Sequence, residues 1–321
     1  MRKIQLGHTA LEVSAVCMGS VPFGSSTPDD KAFALMDRFA QQGGNFMDTA
    51  RIYADWLPGE KQASEKCIGR WLKSRGMQDR MLVATKGGHM PLGQRKPTLS
   101  DAEIRPQVED SLRNLGLEQL PLYYLHRDDP EMTVEDIMDP LLDMQKQGKI
   151  RYLACSNWRE DRIAEANAYA KANGSEGFVT VSNRWSMARC IEGSGGDDTL
   201  VDMNDALYRF HCETGIPATP FTSMAQGYLS KLAEGKPVTD YHRACYGLPE
   251  NEGIAQRAAQ LAREKGMTVA QVCQCYFYAQ PFCVVPVAAF SSTAQLDEAV
   301  AATEMTLTDE ELRWIMTGEG A

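Results

Sequence analysis

Short apolar runs recur along this chain, and each is followed by a longer stretch whose apolar residues fall three and four positions apart. The short runs predict strands near 15–19, 45–48, 81–85, 121–125, 150–155, 178–182, 216–220 and 283–287. The longer stretches predict helices near 29–42, 62–75, 101–115, 134–147, 159–172, 202–214, 252–264 with 268–279, and 294–302. Eight strand–helix units in succession predict an α/β chain whose parallel sheet closes into a (β/α)8 TIM barrel. Residues 2–16 alternate about Gly7-His8-Thr9 and predict an N-terminal β-hairpin, and 304–317 predict an extra C-terminal helix. Ser100 with Glu103, and Thr308 with the acids after it, have the spelling of helix starts. No linker divides the sequence, so one barrel domain over 1–321 is expected. Segments 91–98, 184–201 and 228–251 read as long irregular loops, the usual builders of a pocket on one barrel face.

Composition narrows the partners. A net charge of −10 with no Lys/Arg-rich block argues against nucleic acid and anionic membrane. The nine cysteines are scattered, with no Cys-x-x-Cys, which predicts reduced thiols in a cytoplasmic protein. No signal-peptide-like or membrane-spanning run is present in the sequence. The five histidines show no metal-ligand spacing, so no metal is expected.

Four polar residues stand at or just past the ends of apolar runs: Asp48 and Tyr53, then Lys86, then His126. Catalytic groups of a parallel barrel collect at the C-terminal ends of its strands. Taken singly, Asp48 before Thr49 also reads as a helix cap, and Tyr53 as a packing residue. Lys86 at an apolar strand end is harder to explain that way, because lysine is seldom buried without a partner. Together the four suit proton transfer by a phenol. An adjacent ammonium favours phenolate, so Lys86 is expected to lower the Tyr53 pKa, with Asp48 orienting Lys86 and His126 bonding the reacting oxygen.

These residues sit in Gly44-Asn45-Phe46-Met47-Asp48-Thr49-Ala50, Ala84-Thr85-Lys86 and Tyr124-Leu125-His126-Arg127, followed by Gly148-Lys149-Ile150-Arg151-Tyr152, Cys155-Ser156-Asn157, Ala225-Gln226-Gly227 and Gln295-Leu296-Asp297-Glu298. In these motifs, spread over nearly its whole length, the chain resembles the aldo-keto reductase family. The resemblance implies a nicotinamide cofactor, NAD(H) or NADP(H), and hydride transfer to or from an aldehyde, ketone or alcohol. It implies Tyr53 as general acid supported by Asp48, Lys86 and His126. It further implies that Ser156 and Asn157 contact the nicotinamide carboxamide, with Ser182 where the family has glutamine. Phe221 stands where a tyrosine stacks on the nicotinamide, and Met224, Gln226 and Gly227 match the pyrophosphate loop. Ser291 and Gln295 fall at the adenosine end. Some barrels of this family act as redox-sensing partners of membrane proteins, which is the alternative reading.

The chain departs from the family at that adenosine end. No Lys or Arg occurs between Lys265 and Arg313, which predicts use of NAD(H) at least as well as NADP(H) unless a basic residue of 228–251 compensates. Trp56, Arg127 and Trp185 are the substrate candidates, since aromatic faces with polar neighbours suit sugar-like ligands. Mutual ion pairs among Arg127, Asp128 and Asp129 are an equal reading of those charges.

Overall fold

A computed structural model describes residues 1–319. A two-stranded antiparallel hairpin comes first, β1 (Lys3–Gln5) with β2 (Glu12–Ser14). Strands β3 (Cys17–Gly19), β4 (Phe46–Asp48), β5 (Leu82–Gly87), β6 (Leu120–Leu125), β7 (Ile150–Ser156), β8 (Phe178–Ser182) and β9 (Val287–Ala288) form a parallel sheet. Its order is β8-β7-β6-β5-β4-β3-β9. Helices α1 (Asp29–Gln41), α2 (Ala63–Arg75), α3 (Asp101–Leu115), α4 (Val134–Lys146), α5 (Glu160–Ala172) and α6 (Asp205–Thr214) alternate with these strands. The hairpin, the parallel alternation and the barrel are as the hydrophobic pattern predicts.

Two predicted strands are reduced. Of 216–220, only Ala218 pairs, with Val181 on one side and Val284 on the other. Of 283–287, the regular strand keeps its last residue and runs on to Ala288. Pro217, Pro220 and Pro286 are the physical reason, because proline has no N–H for a ladder. Bonds from Ala218 N to Cys283 O (3.0 Å) and from Val285 N to Ala218 O (2.9 Å) still carry the sheet across this seam and close the barrel.

The loop predicted over 228–251 is instead largely helical. It holds α7 (Tyr228–Ala233), α8 (Asp240–Tyr246) and the start of α9 (Pro249–Lys265). Helices α10 (Val269–Tyr278), α11 (Thr293–Ala302) and α12 (Asp309–Thr317) follow, with the Ser100–Glu103 and Thr308–Glu311 capping boxes both formed.

Outward strand residues such as Met47, Val83, Tyr123 and Leu153 pack under the helices. Inward residues Phe46, Ala84, Leu122, Tyr124, Ala154 and Val285 pack with Leu6, Leu11 and Val13 of the hairpin. The hairpin thus plugs the N-terminal end of the barrel. No described helix is long and apolar enough to cross a membrane.

Candidate active site

Strand alternation aims the polar residues. Phe46, Ala84, Leu122 and Ala154 point inward, so Asp48, Lys86, Tyr124 and Ser156, two positions on, share that face nearer the C-terminal mouth. His126 follows the end of β6, its N–H donating to Gly87 O at 2.7 Å. Tyr53 reaches over the mouth from the loop after β4, where its N–H donates to Ala50 O at 3.1 Å. Lys86 Nζ donates to Asp48 Oδ1, to Thr49 O at 2.9 Å and to Tyr53 Oη at 3.0 Å. Tyr53 Oη lies 3.3 Å from Asp48 Oδ2. The Tyr53 and His126 rings meet edge-on, centroids 5.8 Å apart. Tyr53, Lys86 and His126 line a cavity of about 290 Å³ with Trp56, Ser156, Asn157 and Phe221.

The charges settle by burial as much as by pairing. Burial works against the Lys86 ammonium, but Asp48 and Tyr53 together outweigh it and hold its pKa above the usual range. Tyr53 departs from the expectation. Burial and the Asp48 charge push its pKa up to about 12, against the opposing pull of Lys86. The phenol therefore holds its proton throughout the neutral range. Burial and the charges of Arg127 and Lys86 hold His126 well below its ordinary value, so its ring is neutral. His126 Nδ1 is buried and makes no hydrogen bond in the protein. A buried orphan lone pair is better tolerated than a buried orphan N–H, so we place the proton on Nε2.

Burial depresses His89 and His211 as well as His126. Below the ordinary imidazole pKa of 6.5 the unfolded chain takes up protons that the native state refuses. The resulting stability is complete above that pH and is lost as pH falls toward the depressed native values. Chemical-denaturation midpoints are expected to drop between pH 7 and about 5, and to drop less in His126→Gln. Equal slopes in both proteins would remove His126 from that account.

Of the cofactor residues the resemblance implies, Ser156, Asn157 and Phe221 border the catalytic cavity. Met224, Gln226 and Gly227 line a neighbouring space of about 730 Å³ together with Ser291 and Gln295. Ser182 borders neither space. Thr222, Ala225 and Gln226 have φ of 54°, 45° and 52°. Left-handed non-glycine residues are costly, and such strain concentrates at ligand clamps. Ser182 Oγ is buried without a partner in the protein, while Ser156 Oγ donates to Ser182 O at 2.6 Å. A buried hydroxyl left this way fits a ligand amide. Asn157 is largely engaged already: its side chain donates to His126 O (3.2 Å) and accepts from Val201 N (3.1 Å).

Lys31, Lys231 and Lys236 line the 730 Å³ space together with Ser291, Gln295, Glu234 and Glu298. Lys231 and Lys236 are basic residues of 228–251, the segment the sequence leaves open as compensation, and Lys31 of α1 joins them. Arg243 of the same segment does not line that space.

The substrate candidates separate. Trp56 is 51% exposed at the cavity rim. Arg127 borders the cavity, but its guanidinium is fixed by Thr199 (2.7 Å), His126 O (2.8 Å) and Asp197 (2.8 Å). Asp128 pairs with Arg162 and Asp129 with Lys96, so the three neighbours do not pair with one another. Trp185 is not in the catalytic cavity. It packs against Tyr208, Tyr276, Phe277 and Phe282 and donates Nε1–H to Tyr276 Oη at 3.1 Å. It borders a separate space of about 850 Å³ that contains none of the four catalytic candidates. Sequence reasoning gave no role to His89, which lines the catalytic cavity, and read Asn183 as a polar flank of Trp185, whereas its Oδ1 accepts the Asn157 N–H at 2.7 Å.

Residues 15–316 match the profile of the Aldo/keto reductase family. The chain is 29% identical over 242 residues to the aryl-alcohol dehydrogenase [NADP(+)] of Phanerodontia chrysosporium, a match covering 70% of this chain and 58% of that protein. It is 28% identical to norsolorinic acid reductase B of Aspergillus parasiticus, covering 95% and 81%. It is 25% identical to the uncharacterized oxidoreductase YrpG of Bacillus subtilis, covering 98% and 95%.

Proposed function

Because the chain belongs to the aldo/keto reductase family, we propose that it interconverts a carbonyl and an alcohol with a nicotinamide cofactor, Tyr53 carrying the proton. The contact of Lys86 Nζ with Tyr53 Oη at 3.0 Å, inside an Asp48 ion pair, is the observation that supports this reading best. When bound, the nicotinamide supplies or accepts the hydride at the reacting carbon. The chain's own groups manage the oxygen. Tyr53 donates its phenolic proton to the carbonyl oxygen as negative charge grows there, and His126 Nε2–H offers a second donor. The Lys86 ammonium stabilises the phenolate that remains. Ser156 and Ser182 would hold the carboxamide, Phe221 the ring face, and residues 222–227 the pyrophosphate.

We assign NADP(H) as the preferred form, with Lys31, Lys231 and Lys236 as countercharge, in keeping with the NADP(+) in the name of the Phanerodontia relative. The test pairs steady-state oxidation of NADPH and NADH over aldehydes, ketones and keto-sugars with fluorescence titration of each dinucleotide. A Lys231→Ala/Lys236→Ala variant is expected to bind NADPH about tenfold or more weakly, since a charge-assisted hydrogen bond is worth roughly 1.5–3 kcal/mol. NADH binding should change far less. An equal loss for both dinucleotides would return the assignment to NAD(H). Firm binding with no turnover of any carbonyl would defeat the reductase reading itself.

A further inference from the structure

His89 occupies a position that the proton-transfer site does not explain. It follows β5 across Gly87 and Gly88, and both glycines are required there. A Cβ on Gly87 would stand 2.0 Å from Tyr123 Oη, and Gly88 has φ +75° with Leu99 Cδ2 at 2.3 Å from a Cβ. The turn carries the imidazole back over the barrel mouth, where it meets His126 edge-on with centroids 4.8 Å apart. Thr98 Oγ1 donates to His89 O at 3.0 Å. The ring is held by its own neighbour, with Nδ1 2.8 Å from Met90 O.

That last contact fixes the tautomer. A carbonyl oxygen accepts only, so Nδ1 carries the proton and Nε2 carries the lone pair. Burial and the Arg127 charge depress the His89 pKa, so the ring stays neutral near pH 7. Nε2 makes no hydrogen bond within the protein, and it is not among the buried orphan atoms. The cavity then presents two kinds of group. Tyr53 Oη–H and His126 Nε2–H are donors suited to a carbonyl oxygen. His89 Nε2 is an acceptor suited to a hydroxyl beside it. His89 also borders a second space of about 640 Å³ between the loops after β4 and β5, sharing Ile52 and Lys86 with the catalytic cavity. Arg51, Asp55, Gln62 and Gln107 line that space together with the apolar Met90, Pro91, Leu92 and Pro106.

We propose that His89 is a specificity-determining residue that selects α-hydroxy carbonyl substrates, accepting a hydrogen bond from the hydroxyl next to the reacting carbon. The inference rests on the carbonyl-reductase reading and narrows its substrate class. A site built to bond a hydroxyl discriminates against the analogue that lacks it, because a substrate that covers Nε2 without a hydroxyl takes that lone pair from water and leaves it unpaired.

The experiment compares 2-hydroxypropanal with propanal, which differ only in that hydroxyl. Wild type should favour 2-hydroxypropanal in kcat/KM. His89→Leu should reduce the ratio between the two aldehydes about tenfold, mostly through KM, and His89→Gln, which keeps an acceptor oxygen, should recover part of it. A merely structural role for His89 would depress both aldehydes alike and leave the ratio in place, and that result overturns the proposal. The ¹⁵N shifts of the His89 imidazole should show Nδ1–H at pH 7, with Nε2 responding to added propane-1,2-diol and not to propan-1-ol. If neither aldehyde is turned over, the reductase reading fails, and these shifts still decide His89: no response of Nε2 to the diol ends the proposal.

Discussion

Tyr53→Phe is expected to lower kcat by about 10²–10⁴-fold, the usual contribution of a positioned general acid. The ring and its packing are kept, and only the hydroxyl is lost. Lys86 retains its bonds to Asp48 and Thr49 O while the contacts of Tyr53 Oη with Lys86 and Asp48 go, so stability should fall by about 1–3 kcal/mol, the net worth of two hydrogen bonds. Dinucleotide binding, read by fluorescence, should be preserved. The pH dependence of wild type has a defined sign. Protonated phenol is the donor, and its pKa near 12 in the unliganded protein keeps it protonated far above neutrality. Reductive kcat/KM should therefore show no alkaline loss from Tyr53 until pH approaches that value. A Tyr53→Phe enzyme within about threefold of wild type would remove the phenol from the chemistry, since that is far below a general acid's contribution.

Lys86→Met should cost more stability than any other change at the site. Lys86 is 2% and Asp48 4% exposed. Deleting the ammonium strands a carboxylate in the barrel interior, and breaking a buried pair from one side typically costs about 3–5 kcal/mol. The deficit should narrow at low pH, because burial already raises the Asp48 pKa and Lys86 is what opposes it. Without the lysine, protonation relieves the stranded charge. The double variant Asp48→Asn/Lys86→Met should regain most of the lost stability and none of the turnover. Measured as a cycle of denaturation midpoints, the pair then shows strong coupling. Additive losses would mean that the two side chains do not depend on each other, contrary to their geometry.

Much of this was written in local pattern. Asp48, Lys86 and His126 follow apolar runs, and two-residue periodicity alone turns them to one face. What escaped depends on contacts remote in sequence or on unusual turn chemistry. Trp185, set between Arg184 and Ser186, looked like a pocket residue, yet Tyr276, Phe277 and Phe282, some ninety residues on, enclose it. Lys31 lines the same space as Ser291 and Gln295 but comes from the first helix, some 260 residues earlier, whereas Lys231 and Lys236 fall in the segment 228–251 already open to that role. Helix α8 was hidden because its capping box uses His242 where Glu or Gln is usual. The sign of the Tyr53 shift was misjudged because a sequence shows the partner charge and not the burial. His89 was a lone histidine after two glycines, and only the fold reveals that those glycines return it to the mouth.

The hairpin plug has a consequence for traffic. With Leu6, Leu11 and Val13 filling the N-terminal end, the interior of this barrel is a cul-de-sac. Whatever reaches Tyr53 comes and goes by the same doorway. The side chains of Phe46, Leu122 and Val285 fill the space between that hairpin and the mouth, so the route to Tyr53 runs only over the loops that follow the strands, and changes in those loops, not in the hairpin, would alter what can enter.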